Sequence, residues 1–275
     1  MIIQDARVEL PTGQLDIWVA VAAHVSPYQQ EQAYQDLLSV QENEMFKALR
    51  YPEHRFDYLM GRALLRSVLG SYTGRKPEDL QFERNDFGKP ELSNVDDAPR
   101  FNLSLTDGVA ILAVHADADI GADIEYHGHG RSMLEVADQY FSALEIADLK
   151  TLPSTDQKRG FFRYWTLKES LVKAKGEGMS VPLDSFSFRA TKEAGASVHK
   201  AKLVNAPAHF IDDASQWDFR FFELGLDYTA AVSVSRPLHR ICVRESIPLV
   251  GAMEVDSTEA LFSNHHQDAL SAAFC

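Results

Sequence analysis

Residues 15–21, Leu-Asp-Ile-Trp-Val-Ala-Val, are dominated by β-branched and aromatic apolar side chains and predict a strand. Leu59, Leu64, Leu65 and Val68 recur at helical spacing and predict a helix over 58–69. The chain turns extended over 101–114. Two β-rich runs, 109–114 and 120–125, flank Asp117-Ala118-Asp119, a spacing that suits a hairpin. A long helix is predicted over 158–175, with Gly176 and Gly178 ending it and Pro182 preventing its resumption. Further strands are expected over 186–189, 217–223 and 228–234. From about Pro237 the periodicity is lost. The pattern therefore reads as an α+β chain in two halves, 1–116 and 117–236, followed by a C-terminal extension, 237–275.

Composition narrows the class. Of 275 residues, 45% are hydrophobic and 24% charged, enough apolar material for a substantial core and unlike a disordered chain. No run approaches the roughly 20 apolar residues of a membrane helix, and the first residues do not resemble a signal peptide. Cys242 and Cys275 are too few for a disulfide framework or a zinc site, so a cytoplasmic location is expected. A formal charge of −13 argues against nucleic-acid binding, because phosphates repel an acidic surface. Residues 45–90 run the other way, with nine Lys or Arg against six Asp or Glu. That contrast fits a small anionic ligand, or solvated helix faces carrying paired charges.

Three short constellations carry chemistry. In Ile120-Gly-Ala-Asp-Ile-Glu125, strand alternation places Gly121, Asp123 and Glu125 on one face. The two acids lie about 7 Å apart at Cα, close enough to converge on a hard cation. The same alternation also occurs on ordinary exposed strand faces. On the predicted long helix, Trp165, Glu169 and Lys173 fall at i, i+4 and i+8 and share one side, which offers a carboxylate one turn before an ammonium; a plain Glu–Lys surface pair has the same spacing. The aromatic cluster Phe161, Phe162, Tyr164 and Trp165 reads as core. Finally, Phe87-Gly88-Lys89-Pro90, followed by Phe101-Asn-Leu-Ser104, offers a backbone that can approach a ligand closely, with a lysine beside it.

Taken together and in this order, these elements resemble the surfactin-type phosphopantetheinyl transferases over about residues 41–234. Gly61-Arg-Ala-Leu-Leu-Arg66 and Val181-Pro-Leu-Asp-Ser-Phe186 are similar to segments that flank the motifs in that family. The resemblance implies a monomer of two similar subdomains related by a pseudo-twofold, with the active site in the cleft between them. It implies coenzyme A as co-substrate, Mg²⁺ as cofactor and an apo acyl or peptidyl carrier protein as partner. By position, Asp123, Glu125 and Glu169 become the metal carboxylates. Glu169 is also the expected base, and Lys173 a catalytic phosphate contact. Arg62, Arg84, Lys89, Asn102, Ser104 and Lys173 become the expected coenzyme A contacts.

One position departs from the pattern. Many family members have histidine after the serine that matches Ser104, and this chain has Leu105, which cannot bond a phosphate. Residues 133–152, amphipathic and lying between the metal strand and the long helix, are expected either to meet the carrier or to pack. Two other functions use the same residues: a Mg²⁺-dependent phosphodiesterase, and a non-catalytic coenzyme A or carrier-binding module.

Overall fold

A computed structural model describes residues 8–25, 27–128, 133–178, 181–194, 196–255 and 258. In chain order its elements are β1 (Gln14–Val21), α1 (Pro27–Asp36), α2 (Val40–Ala48), α3 (Pro52–Thr73), β2 (Phe82–Arg84), β3 (Pro90–Leu92), β4 (Arg100–Thr106), β5 (Val109–His115) and β6 (Ile120–Tyr126). There follow α4 (Met133–Tyr140), α5 (Ala143–Thr151), α6 (Ser154–Lys175), β7 (Ser187–Ala190), β8 (Val198–Asn205), β9 (Asp218–Leu224), β10 (Tyr228–Val234), β11 (Arg240–Ile247) and β12 (Gly251–Glu254).

Two five-stranded sheets, ordered β12-β11-β1-β5-β4 and β6-β10-β9-β8-β7, stack face to face, while β2 and β3 form a separate ribbon. Leu15, Ile17, Ile111 and Ala113 of the first sheet meet Ile120, Ala122, Ile124 and Val232 of the second in one apolar layer. Each outer face is covered by a 22-residue helix: α3 lays Leu59, Leu64, Leu65 and Val68 on the first sheet, and α6 lays Phe161, Leu167 and Leu171 on the second. Sheets covered on both faces need continuous apolar strands, which is why β1 and β5 show little alternation.

The two lobes repeat one local plan. Before α3, Ser39 and Glu42 form a reciprocal capping box, and the Glu42 carboxylate is held by Arg66 of α3 at 2.6 Å. Before α6, Ser142 and Glu145 form another, held by Lys168 of α6 at 2.8 Å. Each cation also donates to two carbonyls just beyond its helix: Arg66 to Pro77 and Leu80, Lys168 to Leu183 and Phe186. Both long helices end on a left-handed glycine, Gly74 and Gly176.

Two expectations change. The runs around Asp117–Asp119 do not pair as a hairpin, because β5 lies between β1 and β4 while β6 pairs with β10. Both strands have an apolar face to bury, and the chain satisfies both by crossing from one sheet to the other; the His115 imidazole accepts the Asp117 and Ala118 amides at the crossing. The segment after Pro237 supplies β11 and β12, two strands of the first sheet, with β11 parallel to β1. Its charges hid it from pattern reading. Arg244 lies 2.8 Å from the buried Asp16 carboxylate, which also accepts from Tyr72 and Gln14, and Glu245 lies 2.5 Å from His24. Arg244→Met strands the Asp16 charge in the core, so a loss of about 3–5 kcal/mol in urea unfolding is expected. A loss under about 1 kcal/mol, the range of exposed pairs, would show that this pairing does not secure the C-terminal strands.

Candidate active site

Gly121, Asp123 and Glu125 face α6, as alternation requires, while Ile120, Ala122 and Ile124 enter the layer between the sheets. Helix and strand touch at Gly121, where an added Cβ would stand 2.0 Å from the Ser170 carbonyl oxygen and 2.2 Å from the Ala174 nitrogen. That approach brings the residues of the two motifs together.

Asp123 is 4% exposed. Its Oδ1 accepts from the Lys173 ammonium at 2.6 Å and from the Ser104 hydroxyl at 3.2 Å, whereas its Oδ2 is buried with no hydrogen-bond partner. Burial pushes the Asp123 carboxyl above its ordinary range, against the opposing pull of Lys173 and Ser104. Toward the other end of β6, the Trp165 indole N–H donates to Glu125 Oε1 at 3.2 Å. Burial raises the Glu125 pKa, and repulsion from Asp123 raises it further. The same two causes, in the same order, raise that of Glu169. Three acids and one lysine thus share a partly dry site that disfavours negative charge. Among the described residues, no three acidic, histidine or cysteine side chains are gathered closely enough to chelate a cation as they stand.

The expected coenzyme A contacts fall into different places. Asn102 and Ser104 are buried where the edge strands β4 and β6 run together: Asn102 Oδ1 accepts the Ala122 amide at 2.9 Å and Ser104 Oγ the Ile124 amide at 3.3 Å. These side chains satisfy β6 amides that have no neighbouring strand on that side. Ser104 still reaches the site, since Lys173 donates to it at 3.2 Å. The Lys89 ammonium is bonded to the carbonyls of Ile120 at 3.0 Å and Ala174 at 2.8 Å. Arg84, exposed on β2, donates to the Gly88 carbonyl at 2.7 Å. Arg62 stands on α3 over the Tyr58 ring with a 3.4 Å contact to Glu42. Leu105 is partly exposed and leans toward Gly61 of α3.

Within 133–152, Ala137, Phe141 and Leu149 pack into the core below α6, leaving Tyr140 and Leu144 exposed. The link from Trp165 to Glu125 has no signal in the sequence, where the indole reads as core. Arg66, one of the nine cations of 45–90, is sealed beneath α2 and bonded to Glu42.

Comparison with known proteins adds an independent finding. Residues 119–233, from β6 through β10, match the family model for the 4'-phosphopantetheinyl transferase superfamily. The chain is 35% identical over 185 residues to the 4'-phosphopantetheinyl transferase HetI of Nostoc, covering 66% of this chain and 76% of that protein. It is 31% identical over 212 residues to the 4'-phosphopantetheinyl transferase Sfp of Bacillus subtilis, covering 73% and 88%. A phosphopantetheinyl transferase of Thraustochytrium aligns at 23% identity over 240 residues, 82% of this chain and 80% of that one.

Proposed function

The chain belongs to the 4'-phosphopantetheinyl transferase superfamily, and on that premise we propose how it moves the 4'-phosphopantetheine of coenzyme A onto a serine of an apo carrier protein. In this proposal the reacting groups are side chains of β6 and α6. The observation that carries this reading is the meeting there of Asp123, Glu125, Glu169 and Lys173, with one Asp123 oxygen buried and unpartnered.

In the reaction, the serine oxygen forms a bond to the β-phosphorus of coenzyme A, and the bond from that phosphorus to the bridging oxygen breaks. The leaving group is 3',5'-adenosine bisphosphate. Glu169 takes the serine proton, from its place on α6 one helical turn before Lys173. Lys173 moves its hydrogen bonds from Asp123 and Ser104 to the pyrophosphate oxygens, which carry more charge. Trp165 holds the Glu125 carboxylate in place throughout.

The donor set fits Mg²⁺. Carboxylate oxygens are its preferred ligands, and an orphaned Asp123 Oδ2 in a site that resists negative charge is relieved by a cation. Asp123, Glu125 and Glu169 are the proposed holders, and the ion would supply charge that offsets the growing negative charge on the leaving phosphate. Arg62 and Arg84 are proposed to meet the outer phosphates of coenzyme A, which lies in a cleft between lobes related by a pseudo-twofold. The repeated capping boxes and helix cations support that relation. The enzyme is proposed to act as a cytoplasmic monomer; among the described residues no helix is long and apolar enough to cross a membrane.

Intact-mass spectrometry of an apo carrier incubated with the protein, coenzyme A and Mg²⁺ is expected to show one added phosphopantetheine. The addition should vanish with EDTA and with the carrier serine replaced by alanine. Loss of coenzyme A at the same rate with no carrier present would instead indicate a phosphodiesterase. Binding without any turnover would leave only a carrier or coenzyme A module.

A further inference from the structure

Lys89 stands on a loop of the first lobe, yet both of its hydrogen bonds cross to the second, to Ile120 O on β6 and Ala174 O on α6. Neither acceptor is a carboxylate. The last carbonyls of a helix have no partner within it, and they form the negative end of its dipole, so an ammonium there does two jobs at once. Asn85 adds a second bond of the same kind, its Nδ2 donating to Gly176 O at 3.0 Å.

The loop is shaped for this contact. Asn85 Oδ1 accepts the amides of Phe87 at 3.0 Å and Lys89 at 2.9 Å, curling the chain into a side-chain-closed turn. The Asn85 amide in turn donates to Lys89 O at 3.0 Å. On the helix side, Gly176 is left-handed with φ of 65°. An added Cβ there would lie 2.9 Å from Lys89 Cδ, so only glycine leaves room for the lysine stem.

We propose that loop 85–89 is a cap supplied by one lobe to the catalytic helix of the other, and that Lys89 is a positioning residue for Lys173 and Glu169. Ala174, whose carbonyl Lys89 holds, is the residue after Lys173, and Ile120 lies three residues before Asp123 on β6. The ammonium therefore ties together the two backbones that carry the site, at the end where they meet. Burial pulls the Lys89 pKa down, which fits a lysine enclosed between elements rather than one reaching for a ligand in water. Transfer by this site is the reading of the preceding subsection, and the proposal's kinetic consequences rest on it.

The test compares Lys89→Met and Asn85→Ala with the unaltered protein by steady-state transfer to an apo carrier and by amide hydrogen exchange over residues 170–176. Capping predicts that Lys89→Met lowers kcat at least tenfold with little change in KM for coenzyme A, and that exchange in the last turn of α6 quickens. Asn85→Ala should show the same split more weakly, and it carries the test if Lys89→Met does not fold. A raised KM with unchanged kcat and exchange would make Lys89 a ligand contact and overturn the proposal. So would variants that match the unaltered protein in all three readouts. If the unaltered protein modifies no carrier, the transferase reading fails on its own, and hydrogen exchange still decides whether the loop caps the helix.

Discussion

Glu169→Gln is expected to slow phosphopantetheine transfer by about 10²–10⁴-fold, the usual contribution of a positioned general base. Coenzyme A affinity measured without metal is expected to hold. The substitution keeps the size of the side chain but removes the lone pair that takes the serine proton. It also removes one negative charge from a site where burial and Asp123 already push the Glu169 carboxyl toward its neutral form. Asp123 is the better comparison than a surface acid, because its Oδ1 is bonded to Lys173 at 2.6 Å. Asp123→Asn should slow transfer by removing a metal ligand while raising coenzyme A affinity measured without metal, because Lys173 is released to the pyrophosphate. Single-turnover transfer followed by mass spectrometry, beside calorimetric titration with coenzyme A, separates the two outcomes. Turnover by Glu169→Gln at the rate of the unaltered protein would remove Glu169 from proton transfer and leave it, at most, a metal ligand.

The second large effect is expected from a single methyl group. Gly121→Ala places a Cβ 2.0 Å from the Ser170 carbonyl oxygen and 2.2 Å from the Ala174 nitrogen, both backbone atoms of α6 that no side-chain rotation can clear. The helix must move away from β6. Overpacking of this kind costs about 1–3 kcal/mol or more, which lowers the melting temperature by roughly 2–12 °C in a chain of this size. Activity should fall further than stability does, because moving α6 carries Glu169 and Lys173 away from Asp123. Gly74→Ala is the matched control. Its φ of 70° makes alanine unfavourable there, but nothing lies within 4 Å of the added Cβ, so it should cost about 1 kcal/mol and leave transfer intact. Calorimetric melting and transfer assays on the two variants check both statements; equal losses of activity would break the link between helix approach and the site.

The resting site has a further property that bears on both experiments. Lys173 sits on the carboxylate that a cation would use, and Ser104 completes its hydrogen bonding. An incoming pyrophosphate offers that lysine a more charged acceptor and so frees Asp123. Within the proposed mechanism, coenzyme A draws Lys173 away and so frees Asp123 to meet a cation.

Part of the candidate site's geometry was legible in the chain. Strand alternation alone set Asp123 and Glu125 on one face, helical spacing alone set Trp165, Glu169 and Lys173 on one side, and the order of motifs identified the family. The two long helices could be read in part, the first from an apolar side that it lays on a sheet and the second from the glycines that follow it. These features are local, and a residue's backbone period dictates them wherever the element ends up.

Tertiary structure decided what each polar side chain bonds to. Asn102 and Ser104, expected as coenzyme A contacts, also serve the amides of an edge strand more than 15 positions further on. Lys89, expected as a coenzyme A contact, bonds a carbonyl in the last turn of a helix 85 residues away. Arg66 and Arg244 likewise carried charge in the sequence and are neutralised in the core by Glu42 and Asp16. The β11 strand was lost to pattern reading for that reason, since its buried charges break the apolar run. A sequence states which donors and acceptors exist, whereas burial compels each of them to find a partner. Which partner it finds depends on strands and helices that meet only once the two sheets have stacked.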